Sequence, residues 1–196
     1  MSLGDDDGGP DTGPDRDSGT GPDPTARLRA LAHPVRMRML SLLTASALTA
    51  AELARELDLT HANASYHLRH LLAAGVIQAV GEERIRGGVA KRYRYDPDAD
   101  VEWPQPAAVE GTQPTPQHRL VYAALATELR RRSASLRRGP GNFLTDAEFW
   151  VDPDTWQEIR DLIAEASGRL HRAAQPARTP GTVRVSATVA LFRMED

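Results

Sequence analysis

Hydrophobic residues recur at helical spacing in the middle of the chain. Leu53 and Leu57 are four residues apart, so they share one face of a short helix. Thr49 and Glu52 have the spacing of a capping box, in which each side chain satisfies free backbone groups of the first turn. A short break follows, and Thr60 can cap a second helix. The pattern predicts two helices joined by a tight turn.

The second helix is amphipathic. At about 100° per residue, its inward positions are Ala64, Leu68, Leu71 and Gly75. Its outward positions, with Thr60 at the start of the helix, are Ala62, Asn63, Ser65, Tyr66, Arg69 and His70. Asn can pair with an adenine edge, Arg with guanine or phosphate, and Ser or His with either a base or a phosphate. The alternative is an ordinary solvated helix surface.

A charged hairpin is predicted soon after this helix, over residues 82–95. Gly87-Gly88 supplies the turn, and apolar residues lead into it. Its proposed DNA-contacting residues are Arg84, Arg86, Lys91 and Arg92. In a wing beside a recognition helix, such cations lie along phosphates or enter the minor groove. The alternative is a charged hairpin that only aids solubility, but the preceding helices favour DNA contact.

Residues 28–43 (LRALAHPVRMRMLSLL) and 49–77 together resemble the winged helix-turn-helix of ArsR-like bacterial transcriptional regulators. The matching words are Ala32-His33-Pro34 with Arg36, then Ser65-x-His67-Leu68-x-x-Leu71, then Ala74-Gly75-Val76-Ile77. The resemblance covers about residues 25–96. It implies a homodimeric repressor-type regulator that binds a palindromic operator in double-stranded DNA. By position, it also implies that Ala62, Asn63, Ser65, Tyr66 and Arg69 face the groove.

The chain departs from that family in its metal-sensing residues. Well-known members use paired cysteines near the start of the first motif helix, where this chain has AELAR at residues 51–55 and no cysteine anywhere. The Asp and His spacing of a second family metal site is also missing from the late helices. His67 and His70 could share a metal at helical spacing, but no nearby carboxylate or thiol completes the set. We therefore expect no metal site and no cofactor.

Charge is distributed unevenly along the chain. Residues 1–24 contain seven Asp and one Arg, and are rich in Gly and Pro, so we expect a disordered acidic tail. Residues 25–98 contain eleven Lys and Arg against seven Asp and Glu, although the whole chain has a net charge of −3. The positive charge thus coincides with the predicted DNA-binding domain, residues 25–96. Residues 97–117 form a Pro-rich linker.

Residues 118–196 read as a small α/β region for dimerisation or effector binding. The pattern predicts a helix over 118–138, a strand over 142–151, a helix opened by Asp152-Pro153 and a strand over 183–191. The aromatic residues Phe143, Phe149, Trp150 and Trp156 could form a core or line a pocket for an unknown small-molecule effector. The two helices are the expected dimer contacts. The fold class is α+β, a winged helix-turn-helix followed by this region.

The sequence therefore predicts a DNA-binding transcriptional regulator and not an enzyme. It has no Gly-rich phosphate loop, nucleophile elbow or paired ligand motif. No apolar run approaches the roughly 18 residues of a membrane span, and no signal-peptide core is present, so we expect a cytoplasmic location. The alternative function is a winged helix that binds another protein, with the C-terminal region as the working part.

Overall fold

The computed structural model describes residues 24–85, 87–95 and 115–194. The predicted acidic tail and most of the predicted linker lie outside these residues. The elements are α1 (Pro24–Leu31), α2 (Pro34–Ala45), β1 (Leu48–Thr49), α3 (Ala50–Leu57), α4 (His61–Ala73), β2 (Gln78–Ile85), β3 (Gly88–Arg94), α5 (Pro116–Ser133) and α6 (Pro153–Arg172).

The predicted helix starts are confirmed. At α3, the Thr49 hydroxyl accepts from the Glu52 N–H at 3.3 Å, and the Glu52 carboxylate accepts from the Thr49 N–H at 2.7 Å. Asp58 ends α3 in the left-handed conformation, with φ of 54°. The Thr60 hydroxyl then accepts from the Asn63 N–H at 3.2 Å and starts α4. The tight turn between α3 and α4 is therefore held by local bonds at both ends.

The break between α1 and α2 is also stabilised by local hydrogen bonds. His33 caps α2 because its Nδ1 accepts from the Val35 N–H at 3.1 Å, and Pro34 occupies the first turn. The Arg36 guanidinium donates to the carbonyl oxygens of Ala30 and Arg29, near the end of α1. Carbonyl groups at a helix C-terminus lack helical partners, so one arginine both satisfies them and fixes the angle between the helices.

One hydrophobic core unites α2, α3 and α4 with the start of the hairpin. Its fully buried members include Met39, Leu43, Leu53, Leu68 and Leu71. The inward stripe predicted for α4 is confirmed at Ala64, Leu68 and Leu71. Gly75 follows α4 at φ of 66°, a conformation that costs glycine little, and turns the chain toward β2.

The strands form a three-stranded antiparallel sheet in the order β1-β3-β2. Sequence patterns predicted the β2–β3 hairpin, with its turn at Gly87-Gly88, but not the two-residue strand β1. Leu48 pairs with Tyr93 and Thr49 with Arg92, so β1 joins the hairpin to the start of α3. The ladder is irregular between Ala79 and Gly81, where β2 contains one extra residue.

Helix α5 packs on α1 and α2 through a second small core. Val121 and Ala124 pack against Leu28 and Met37. One turn further on, Glu128 has only 3% of its side chain exposed, and it lies among the arginines Arg38, Arg131 and Arg132 at 2.8–3.7 Å. A buried carboxylate is stable only when it is paired, so this cluster ties α5 to α2.

Two expectations for the C-terminal region are wrong. Residues 115–194 contain α5 and α6 but no strand, so neither 142–151 nor 183–191 forms a strand in the single chain. Alternating apolar residues identify a face that can be buried, but a strand also needs a neighbour for its backbone groups. Helix α5 also ends at Ser133, five residues early, where the Ser133 hydroxyl donates to the Arg130 carbonyl.

Helix α6 starts as predicted, with Asp152 accepting from the Thr155 N–H at 2.9 Å and Pro153 in the first turn. It buries none of its residues.

The described part of the chain is α+β, with a small antiparallel sheet in the helix-turn-helix half. Within it, no helix combines the length and apolar character needed to cross a membrane.

Glu128→Ala should lower the free energy of unfolding by about 1–3 kcal/mol, because the partly buried Arg38 loses its carboxylate partner. Urea unfolding followed by circular dichroism measures this. The matched control is Glu165→Ala on the exposed side of α6, which should change stability by less than about 0.5 kcal/mol. Equal effects of the two substitutions would show that the arginine cluster does not secure α5.

Candidate nucleic-acid interface

Helix α4 presents a polar face to solvent while its other side is buried. Ala62, Asn63, Arg69 and His70 are exposed, Tyr66 is 49% exposed, and Ser65 is intermediate. The opposite positions are fully buried, so α4 cannot rotate about its axis without exposing core residues. The structure therefore brings the six predicted outward residues together on one rigid surface.

The start of α4 belongs to the same surface. Thr60 is exposed, and its hydroxyl accepts a hydrogen bond from the backbone N–H of Asn63. The side chain of Asn63 remains exposed. The first N–H groups of a helix carry partial positive charge and suit anionic groups such as phosphate. Thr60 therefore acts on this surface by fixing the helix start, and leaves the Asn63 amide available for a partner.

Aromatic and basic residues cluster further along α4. The rings of Tyr66 and His70 meet edge to face, with centroids 4.5 Å apart. Together with Arg69 and Ala73 they line an open depression on the helix surface. Hydrogen-bonding groups and flat rings at one place are the chemistry that reads base edges and the sugar–phosphate backbone.

His67 lies inside the domain. It is 4% exposed, and its ring centroid is 4.7 Å from that of His33, the cap of α2. Burial, together with the smaller effects of the neighbouring His33, Arg36, His70 and Arg38, lowers the pKa of His67 to about 4. A neutral His67 thus packs α4 against the start of α2.

The hairpin, which we call the wing, is held at its base by aromatic residues and carries cations further out. Tyr93 and Tyr95 pack on the main core. Register places Glu82 opposite Lys91 and Arg84 opposite Val89, so Arg84 and Lys91 share a face. Both are exposed, and neither forms an ion pair with a described residue. Arg86 lies outside the described residues.

Arg92 is bound within the domain. Its guanidinium contacts the Glu83 carboxylate at 2.6 Å, the Glu52 carboxylate at 3.7 Å and the Ala47 carbonyl oxygen at 2.5 Å. The pKa of Glu52 is lowered although burial acts to raise it, because hydrogen bonds from Thr49 and the charge of Arg92 stabilise the carboxylate. Arg92 therefore joins β2, β3 and the start of α3, whereas the sequence had placed it on phosphates.

The predicted effector pocket is not formed by the described residues. Phe143, Phe149 and Trp150 are 75–90% exposed. They lie neither in a core nor around a common cavity. Across the same residues, no group of three or more His, Cys, Asp or Glu could hold a metal ion.

Sequence patterns missed two residues that position this surface. His67 directly precedes the buried Leu68. Because histidine is polar, the hydrophobic pattern did not indicate that His67 is buried as well. Arg92 was grouped with the other wing cations, although the pairing of Thr49 with Arg92 places it beside the capping box of α3. The only local signal was Thr49, a strand-favouring residue that also opens that box.

Arg92→Ala should destabilise the domain by roughly 1 kcal/mol, because the wing loses its bonds to α3 while its partners remain solvated. Thermal unfolding at low and high salt measures the loss. Arg84→Ala is the matched control on the same hairpin and should leave the melting temperature within error of the wild type. If Arg84→Ala were as destabilising as Arg92→Ala, the anchoring role of Arg92 would be refuted.

Acid should destabilise the domain through His67. Its folded pKa of about 4 lies below the unfolded value of 6.5, so the unfolded state binds the proton first as pH falls. Its stabilising contribution is complete above about pH 6.5 and is lost progressively down to pH 4, by about 2 kcal/mol between pH 7 and pH 5. Urea unfolding of wild type and His67→Phe at both values tests this, because the substitution should flatten the pH dependence.

The control for this titration is His61→Ala, because His61 is exposed at the start of α4. It should retain the wild-type slope of stability against pH. A His67→Phe protein with the wild-type slope would show that other groups cause the acid sensitivity.

Comparison with known proteins agrees with this geometry. Residues 31–78 match the family described as Helix-turn-helix domain, a span from the end of α1 to the first residue of β2. No curated protein matches the chain. The family match and the buried-and-exposed arrangement of α4 support one conclusion: the chain carries a helix-turn-helix DNA-binding domain, as transcription regulators do.

Proposed function

We propose that this protein is a homodimeric winged-helix transcriptional regulator that represses by occupying a palindromic operator. The observation that carries the proposal is α4, whose inner face is buried and whose outer face exposes Asn63, Tyr66, Arg69 and His70 next to the wing. A recognition helix needs this combination of rigidity and exposed hydrogen-bonding groups. The resemblance to ArsR-like regulators supports repression and the palindrome.

Each part of the surface has a separate task in this proposal. In the major groove, Asn63 and Arg69 read base edges, and Ser65, Tyr66 and His70 contact bases or backbone. Ala62 allows the helix to approach closely, and Thr60 sets its first turn. On the wing, Arg84 and Lys91 neutralise phosphates, with Arg86 between them in sequence. Arg92 has the supporting role described above.

Two copies are needed because one α4 reads only a half-site. Recognition helices of a two-fold dimer enter successive major grooves about one turn of DNA apart, which makes the operator palindromic. Leu120 and Leu129 of α5 are 56% and 51% exposed, and at about 100° per residue they lie at opposite edges of the stripe formed by Val121 and Ala124. An exposed leucine at either edge of α5 offers an apolar contact to a second copy.

Fluorescence anisotropy with the upstream DNA of the protein's own gene and with a random duplex, at two salt concentrations, tests the proposal. We expect preference for the upstream DNA and steep loss of affinity as salt rises, because bound cations displace counterions. Equal binding to both duplexes would contradict sequence reading. No binding to either would favour the protein-interaction alternative.

Two substitutions separate base reading from phosphate contact. Asn63→Ala should cost about 1–3 kcal/mol on the preferred duplex only. Lys91→Ala should weaken binding to both duplexes alike and reduce the salt slope by about one. Asn142→Ala, outside the domain, is the matched control and should bind as wild type. Equal loss on both duplexes for Asn63→Ala would remove Asn63 from the base-reading set.

A further inference from the structure

Two stretches of the C-terminal region have unused backbone groups. We call residues 143–151 the first segment and residues 183–192 the second segment. Neither forms a helix or strand, and neither makes a backbone–backbone hydrogen bond with another described residue. Each segment is long enough for a typical strand, so each offers a row of donors and acceptors to a neighbour.

In both segments, apolar residues recur at odd-numbered positions. The odd-numbered positions of the first segment include Phe143, Phe149 and Val151, which are 88%, 75% and 51% exposed. The odd-numbered positions of the second segment are Val183, Val185, Ala187, Val189 and Leu191. In strand conformation, the odd-numbered positions of both segments therefore form an apolar face that is uncovered in the single chain. The first segment also exposes Leu144 and Trp150 at even-numbered positions.

At the even-numbered positions, the charged residues of the two segments have opposite sign. The first segment has Asp146 and Glu148 at even positions, and the second has Arg184 at an even position. Pairing the first segment with another copy of itself would place carboxylates near carboxylates. Pairing the first segment with the second brings opposite charges together on the same face as the apolar faces align.

Helix α6 connects the two segments and is mostly uncovered, since among the described helices it approaches chiefly α2. It buries no residue, and Ile159, Leu162 and Leu170 are 45%, 54% and 45% exposed. An apolar helix stripe beside an apolar strand face is the pairing from which layered domains are built. A sheet would therefore cover the apolar stripe of α6 and provide hydrogen-bond partners for the backbone of both segments.

The uncovered area matches that of a stable protein interface. Taking the exposed fractions of the large apolar side chains in the two segments, burial would remove on the order of 1,000 Å² per copy, against about 800 Å² per partner in a standard interface. On the odd-numbered face, the aromatic rings of Phe143 and Phe149 contribute much of this area.

We propose that two copies of the chain form a sheet in which the first segment of one copy pairs with the second segment of the other. A two-fold axis repeats the pair, so both segments of both copies are used and the assembly closes as a dimer. The apolar sheet face is covered by the two α6 helices. The inference rests on the proposed homodimer and names the surface that forms it, in addition to α5.

A charge exchange between two variants tests the pairing. The first variant is D146R/E148R and the second is R184E/S186E, each made in the full chain with a different affinity tag. Each variant alone places like charges opposite each other, so dimerisation should weaken about tenfold. In a mixed dimer both pairs are again complementary, so mixing should restore dimer affinity to within about threefold of wild type.

Native mass spectrometry of the separate and mixed proteins, without DNA, gives the populations. The matched control is R137E/R138E, which reverses two charges outside both segments and should dimerise as wild type. Variants that dimerise normally, or weakened variants that mixing does not restore, would overturn the proposal, as would open-ended assemblies larger than a dimer. Because no DNA is present, these outcomes are independent of operator binding.

Hydrogen–deuterium exchange on the wild-type protein is a second test that needs no substitution. On raising the concentration from mostly monomer to mostly dimer, amides of residues 143–151 and 183–192 should become protected together. A dimer in which both segments still exchange rapidly would overturn the pairing and leave α5 as the contact between copies.

Discussion

The fixed orientation of α4 is the constraint on which the DNA-binding surface depends. Ala64, Leu68 and Leu71 are in the main core, with no room to rotate the helix by even one position. Rotation by 100° would bring polar residues into the core and expose leucine, a change whose cost is comparable with the stability of a small domain. The direction in which Asn63 and Arg69 point is therefore decided by leucines on the far side of the helix.

The wing depends on a different kind of bond. Its outer end projects beyond the core, so only its base is held by apolar packing, through Tyr93 and Tyr95. Arg92 adds charged contacts to Glu83 within the hairpin and to Glu52 at the start of α3. Glu52 also closes the capping box, so the start of α3 and the direction of the wing share one carboxylate. A single residue in the cap of α3 thereby links the wing to the first helix of the helix-turn-helix.

Local patterns in the sequence predicted α3, α4 and the hairpin well, because each has a local cause. The caps at Thr49 and Thr60 and the Gly87-Gly88 turn each act within a few residues. The position of Arg92 could not be predicted in this way, since it depends on a carboxylate forty residues earlier in the chain. His67 shows the same limit, because its burial depends on His33 across the core.

In the second half of the chain, local patterns predicted strands that the structure does not contain. Alternation at residues 143–151 and 183–191 was read as strands, but a strand is a relation between two pieces of backbone, and the structure gives these pieces no neighbour. Helix α6, whose cap and proline act locally, was predicted correctly at its start. For the candidate site, the sequence identified the exposed face of α4, while its buried supports required the fold.

The extra residue in β2 has a consequence for how the wing tolerates change. Ala79 pairs with Tyr93 and Gly81 with Arg92, so Val80 is accommodated without a partner of its own. Deleting Val80 would make the ladder regular and leave every cross-strand pair intact, so Glu82 would stay opposite Lys91 and Arg84 opposite Val89. The strand would instead lose the bend and the stronger local twist that an extra residue introduces. The direction in which the outer part of the wing leaves the sheet therefore depends on one unpaired residue at its base.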